Sequence, residues 1–185
     1  MFRVKTYEDQ ACLRSSSAGK RPFEVVVHNV TCSTFDSLAP LVLCDVNKLA
    51  TSRYSINIWF KLSRTVPAHI IVRGIIDVGG FGRKTVRFFD IKINVCDLLH
   101  WSSSSVFLVR QVMDIIRRNG NLPLSCPIEA DKMYNLTNLV ITDELFPMYT
   151  PAIHLNVTVN FYDKEKLLVT YLLRGYTIPR NKRKF

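Results

Sequence analysis

The chain contains none of the short patterns that accompany common metal, redox or nucleophile chemistry. Its five cysteines include no C-x-x-C pair, which argues against zinc knuckles and thioredoxin-like sites. G-x-S-x-G, H-E-x-x-H and H-x-E do not occur, and the acidic residues form no pair of the kind that glycoside hydrolysis needs. We therefore predict a protein that is not an enzyme and has neither a metal site nor a cofactor.

The chain also lacks long apolar runs and is short of acidic residues. No uncharged apolar run approaches the length of about 20 residues that spans a bilayer, so no transmembrane segment is expected. Lys and Arg number 25 against 15 for Asp and Glu, which gives a formal net charge of +10. Because the charge is scattered, and the aromatic residues follow the apolar pattern instead of alternating with basic ones, we expect no nucleic-acid binding.

Alternation of apolar and polar residues is the dominant pattern along the chain, and it is typical of half-buried strands. Eight segments read as strands: 23–30, 40–46, 53–62, 69–76, 89–95, 134–142, 154–162 and 167–178. Short links between them predict a mainly β fold, a two-sheet antiparallel β-sandwich. The domain is expected at residues 23–178, between an irregular arm at 1–22 and a basic, frayed tail at 179–185.

One amphipathic helix is predicted after Cys96. Its apolar face is marked by residues at three- and four-residue steps: Val106, Val109, Met113 and Ile116. The four serines at 102–105 offer side-chain oxygens to cap the first turn, and Gly120 is expected to supply a left-handed stop.

Four of the cysteines are predicted to form two disulfides, although four cysteines allow three connectivities. Cys32 and Cys44 lie on sequential segments that should pair as a hairpin, where cross-strand Cβ atoms come within about 4.5–5.5 Å. Cys96 and Cys126 flank the helix, and a bond between them would stabilise the fold by roughly 3–4 kcal/mol in the chain-entropy model. Cys12 is then left unpaired.

Three N-glycosylation sequons begin at Asn29, Asn135 and Asn156. Together with paired cysteines they favour an oxidising, extracellular environment. Residues 1–22 carry charged residues and no apolar h-region, so they are not a signal peptide. Two interpretations stay open. The one we expect is a secreted protein whose leader is missing from this sequence; the other is a cytosolic protein whose sequons carry no meaning.

The order of several features resembles a known family. These features are Cys32, Cys44, the segment Asp90–Leu99, the amphipathic helix, Cys126-Pro127 and the segment Tyr134–Asn138. They are similar to a large, mostly uncharacterised family of small secreted insect proteins, abundant in flies and related to the chemosensory CheB proteins. That family looks like a distant branch of the ML lipid-recognition superfamily, which includes the ganglioside activator protein.

The resemblance covers about residues 23–178, and its most specific part is the block from Cys96 to Pro127. It implies an immunoglobulin-like, ML-like cup of two sheets that opens between them to take up a lipid or hydrocarbon tail. It also implies secretion and, in some relatives, expression in taste or pheromone-sensing organs.

We therefore predict a secreted binder of a lipid or other hydrophobic ligand, with chemosensation as the role that the resemblance implies. A pocket needs mostly apolar walls with a few polar groups. The expected walls are Ile56, Ile58, Phe60, Val72, Phe89, Ile91, Ile93, Val109, Met113, Ile116, Val157, Val159, Phe161 and Tyr171. Two alternatives remain: the same faces close as a dry core, or the protein is an interaction module, accessory to a surface receptor or channel.

Phe89→Asp tests which face of its strand is buried. We expect the variant to lose folding or ligand uptake, because an unpaired charge in an apolar interior is costly. Urea unfolding and an uptake assay beside the wild type measure this. Wild-type stability and uptake in the variant would show that the face assignment is wrong by one register.

Overall fold

The structure, a computed structural model, describes residues 21–100, 107–123 and 125–180. Within those ranges the strands are β1 (Phe23–Thr34), β2 (Leu41–Ala50), β3 (Arg53–Lys61), β4 (Ile71–Gly80), β5 (Val86–Asn94), β6 (Met133–Thr142), β7 (Ile153–Asp163) and β8 (Lys166–Pro179). The helices are α1 (Val95–His100), α2 (Phe107–Asn119) and a 3₁₀ helix at Asp143–Leu145.

All of these strands pair antiparallel, in two sheets. One sheet has five strands in the order β1-β8-β7-β4-β5, and the other has three in the order β2-β3-β6. Alternate residues of each sheet face the other sheet, so that Val72 of β4, Phe60 of β3 and Tyr134 of β6 pack in one cluster. The predicted mainly β, two-sheet antiparallel β-sandwich is confirmed.

The two ends of the sandwich differ in how well they are packed. At one end, which we call the closed end, the β1–β2 and β3–β4 connections, α1 and the β7–β8 turn come together. Their apolar side chains form a buried cluster that includes Leu38, Leu62, Ile70, Leu99 and Leu168. The opposite end carries the β2–β3 turn, the β4–β5 hairpin and the β6–β7 loop, and we call it the hairpin end.

Each side of the sandwich holds one disulfide. Cys32 of β1 is bonded to Cys44 of β2, with Cα atoms 6.0 Å apart, and Cys96 of α1 is bonded to Cys126, with Cα atoms 5.5 Å apart. Both predicted pairs are confirmed. The hairpin argument for the first pair was wrong, because β1 pairs with β8 and β2 pairs with β3. The bond joins the edges of two different sheets.

Two α-helices occupy the region where one was predicted. α1 starts after Asn94, whose side-chain oxygen accepts hydrogen bonds from the backbone N–H groups of Cys96, at 2.8 Å, and Asp97, at 3.4 Å. α2 buries Val109 and Met113, as its spacing predicted. The serines at 102–105, predicted as caps, lie outside the described residues.

Gly120 follows α2 for a reason other than the predicted one. Among the described glycines only Gly82 has a left-handed φ, at +72°, so Gly120 is not a left-handed stop. It forms a β-bridge with Leu136. A Cβ atom on it would lie 2.7 Å from the Asn135 carbonyl oxygen and 3.1 Å from that of Ile116. The glycine is needed because α2 approaches β6 closely.

Arg180, predicted as part of a frayed basic tail, is bound to the domain. Its side chain is 16% exposed and lies 3.4 Å from Glu24 and 3.2 Å from Asp143, measured between nitrogen and carboxylate oxygen. β8 extends to Pro179 and pairs there with Phe23, so Arg180 reaches carboxylates at the hairpin end. The rest of the predicted tail, and residues 1–20 of the predicted arm, lie outside the described ranges.

Gly120→Ala should destabilise the protein by about 2 kcal/mol or more, because backbone atoms of β6 and α2 would have to move. Gly74→Ala is the control, since a Cβ there would make one ordinary contact, 3.7 Å from Ile91. Urea unfolding of both variants measures the difference in free energy. Equal stability would contradict the close approach of α2 to β6.

Candidate functional site

The inner face of the five-stranded sheet is built from rows of directly opposed residues, which share a face in antiparallel pairs. Two rows cross all five strands at the centre, and we call them the middle rows. One contains Val30, Leu173, Val157, Ile76 and Phe89, and the other contains Cys32, Tyr171, Val159, Gly74 and Ile91.

Every residue of the middle rows is only half-buried. Buried residues flank them on both sides, with Val72 and Val169 toward the closed end and Val25 and Thr177 toward the hairpin end. In a dry sandwich the two inner faces interdigitate, and the centre of each face is the part farthest from solvent. The centre of this inner face is therefore incompletely covered, and part of each middle-row residue stays accessible to solvent.

The opposite wall comes from the three-stranded sheet. Ile58 lies there between Cys44 and Leu136, and Phe60 lies between Val42 and Tyr134. The two sheets approach most closely where β1 faces β2 and β3, whereas α1 contacts β5 and α2 contacts β6. The helices therefore lie at the side where the sheets diverge.

The structure places all of the predicted pocket residues on inward faces or along one side of α2. The five-stranded sheet carries Val72, Phe89, Ile91, Ile93, Val157, Val159, Phe161 and Tyr171. The three-stranded sheet carries Ile56, Ile58 and Phe60, and α2 carries Val109, Met113 and Ile116. Ile56, Val72, Val109 and Met113 are buried and the others are half-buried. Val72 belongs to the cluster at the closed end, so it serves packing.

Four residues of the middle rows were missed as wall residues from the sequence: Gly74, Ile76, Leu173 and Val30. Cys32 was predicted only as a disulfide cysteine. Alternation from Val72 along β4 would have found Gly74 and Ile76. Leu172 and Leu173 are adjacent apolar residues, so the pattern of β8 does not say which of them faces inward.

Gly74 leaves room at the centre of the inner face. It lies on β4 between Val159 and Ile91, and within 4 Å a Cβ atom on it would meet only the Ile91 side chain, at 3.7 Å. The inner surface is therefore flat there, and it can accept a side chain or part of a ligand.

Tyr171 brings the one hydroxyl group of the middle rows. Its ring packs edge-on against Phe161, with centroids 5.9 Å apart. No described residue hydrogen-bonds to its hydroxyl, and burial raises the pKa of that phenol. The hydroxyl is thus a free hydrogen-bonding group on an otherwise apolar wall, able to pair with a polar atom of a bound molecule.

A separate open cleft of about 380 Å³ lies at the hairpin end, between the β2–β3 turn and the 3₁₀ helix. Its lining is Ala50, Thr51, Ser52, Arg53, Thr142, Asp143 and Glu144. Because none of these residues belongs to the middle rows and most are polar, this cleft is distinct from the apolar interior.

Metal-binding and membrane-spanning features were searched within the described residues. No group of three or more His, Cys, Asp or Glu residues in that part of the chain could hold a metal ion. No helix there is long and apolar enough to cross a membrane.

The three sequons lie on outer faces. Asn156 is on the central strand β7, opposite Asp77 and Arg174. Asn29 is on the edge strand β1, and Asn135 is on β6 opposite Trp59. Glycans attached there would leave the interior free, and their attachment stays a prediction.

Residues 77–157 match a family model described as "Protein of unknown function (DUF1091)". This segment runs from β4 into β7, is shorter than half of the chain, and includes α1, α2 and the Cys96–Cys126 disulfide. No curated protein matches the chain. The match supports the resemblance to an uncharacterised family and assigns no activity.

Tyr171→Phe should leave the free energy of unfolding within about 0.5 kcal/mol of wild type, because the lost hydroxyl has no described partner. Tyr134→Phe is the matched control. The Tyr134 hydroxyl accepts from the Glu129 N–H at 3.1 Å and donates to its carbonyl at 3.2 Å. We expect that loss to cost about 1–2 kcal/mol in urea unfolding. A larger loss in Tyr171→Phe than in Tyr134→Phe would contradict the free hydroxyl.

Proposed function

We propose that this protein is a non-enzymatic binder that holds a lipid or other hydrophobic molecule between its two sheets. The observation that carries the proposal is the half-buried state of the middle rows, at the place where a dry sandwich is most tightly packed. Apolar walls with one free polar group have the composition of small-molecule sites.

The walls also indicate the chemistry of the ligand. Aliphatic and aromatic side chains favour an apolar body, and each buried methylene contributes about 0.8 kcal/mol. The Tyr171 hydroxyl favours a ligand that carries a hydrogen-bonding oxygen, such as an alcohol, ester or acid, next to its hydrocarbon part.

An extracellular site of action is part of the proposal. Two disulfides connect the chain, and such bonds persist in oxidising environments. The sequons on outer faces are compatible with a secreted glycoprotein. The family resemblance suggests an insect protein related to the ML superfamily, with a role in chemosensation.

A protein-interaction module is the second candidate, and the outer face of the three-stranded sheet favours it. Leu43 is 54% exposed and Met133 is 45% exposed on that face, where Leu43 pairs with Trp59. An accessory to a receptor or channel could use this surface. If so, Leu43→Ser should abolish partner binding without affecting ligand uptake.

Gly74→Leu should lower the affinity for a hydrophobic probe by at least about tenfold, because a leucine side chain would fill the centre of the interior. Titration with N-phenyl-1-naphthylamine, followed by fluorescence, measures this. Thr158→Leu is the control, since Thr158 lies on the outer face of the adjacent strand, β7.

Two results would contradict the proposal. The first is equal probe affinity in wild type and a folded Gly74→Leu variant. The second concerns protein produced in a eukaryotic secretory host and extracted with organic solvent: if mass spectrometry finds no copurifying lipid and wild type binds no probe, the interior is a dry core.

A further inference from the structure

The hairpin end displays large apolar side chains that the sandwich does not bury. Phe81 is 51% exposed, Val86 64% and Phe88 73% on the β4–β5 hairpin. The β6–β7 loop adds Tyr149, which is 87% exposed, and Met148, which is 47% exposed. The two segments are adjacent, because Gly80 at the end of β4 pairs with Ile153 at the start of β7.

The turn and a β-bulge set the direction of side chains on the hairpin. Its turn is closed by a hydrogen bond from the Arg83 N–H to the Gly80 carbonyl, at 3.0 Å, with Gly82 at a φ of +72°. The pairing of β4 with β5 steps from Ile76–Phe89 to Asp77–Arg87. Phe88 is therefore the extra residue of a β-bulge, a feature that redirects side chains.

The charged residues near the tip of the hairpin are all basic. Val78 to Phe89 contains three basic residues, Arg83, Lys84 and Arg87, and no acidic one. Arg87 is paired with Asp77, at 3.1 Å, and Asp90, at 3.3 Å. Arg83 and Lys84 are exposed and form no ion pair with the residues that the structure describes.

We propose that the hairpin end docks on an anionic membrane surface. Exposed aromatic side chains enter the interface between headgroups and acyl chains, and neighbouring Lys and Arg side chains are attracted to acidic lipids. The strength of surface binding grows with the buried apolar area and with the attraction to anionic lipids, and the hairpin interleaves apolar and basic side chains over eight residues, 81–88. This inference goes beyond the proposed ligand binding and does not depend on it.

Vesicle cosedimentation tests the docking surface. Wild-type protein is mixed with vesicles of phosphatidylcholine alone or of phosphatidylcholine and phosphatidylserine at about 7:3. We expect binding to the mixed vesicles that weakens as salt rises, because screening reduces attraction between exposed charges, and at least about tenfold weaker binding to the neutral vesicles.

Two variants and two matched controls locate the contact. Arg83→Glu/Lys84→Glu and Phe88→Ser should each weaken binding to mixed vesicles by at least about tenfold. Lys132→Glu/Lys164→Glu makes the same charge change at the closed end. Phe35→Ser removes a phenylalanine that is 57% exposed near that end. Both controls should bind like wild type.

A Phe88→Trp variant reports insertion directly. When mixed vesicles are added, the tryptophan emission of this variant should shift to shorter wavelength by more than the emission of the wild-type protein does. The proposal is overturned if wild type does not bind mixed vesicles, if neutral vesicles bind equally well, or if the closed-end variants lose as much binding as the hairpin variants. The exposed hairpin would then be a contact for another protein.

Discussion

The rest of the structure depends on an unequal pairing of sheets: five strands present an apolar face, and only three strands lie opposite. Apolar surface exposed to water is unfavourable by about 25 cal/mol per Å², so the uncovered part of the wider sheet needs other partners. On the β1 side the sheets meet and Cys32–Cys44 fixes their edges. On the β5 side α1 and α2 lie where the sheets diverge, and Cys96–Cys126 links α1 to the segment before β6. The middle rows lie between these two sides of the sandwich and stay half-buried.

Sequence alone predicted the strands well and their partners poorly. Alternation reports which residues of a strand share a face, because the side-chain period is two, and this found the eight strands of the described residues. It says nothing about which strand lies beside which. That is why Cys32 and Cys44 were correctly paired through an incorrect hairpin. Gly120 was misinterpreted for a similar reason, since its role is set by β6, a strand that follows later in the chain, and not by the local turn.

The inward faces of the strands were predictable from the sequence, and the separation of the two sheets was not. Tyr171, Phe89 and Ile91 follow from alternation, and all lie on the middle rows. Whether such residues form a dry core or line a space depends on the separation of the sheets, which no local pattern encodes. Gly74 shows the same limit. In the sequence Gly74 is a glycine within a strand, a residue type that disfavours strands. Only its position between Val159 and Ile91 shows that it forms the flat centre of the wall.

The hairpin end shows how a protein can hold apolar side chains outside its core without losing order. Ion pairs on its outer face hold the β4–β5 hairpin, and at its tip the Phe81 ring packs against His154, with ring centroids 4.1 Å apart. Arg73 donates two hydrogen bonds to the Asp90 carboxylate, at 2.8 and 2.6 Å, and these hold the pKa of Asp90 below its ordinary value. Arg87 connects that carboxylate to Asp77. Such bidentate pairs impose geometry as well as attraction. Phe88 therefore stays exposed on a strand that ion pairs hold in place, whereas Leu38, Leu62 and Ile70 at the closed end are buried in one cluster. The two ends of one sandwich thus differ: the closed end buries an apolar cluster, and the hairpin end leaves large apolar side chains exposed.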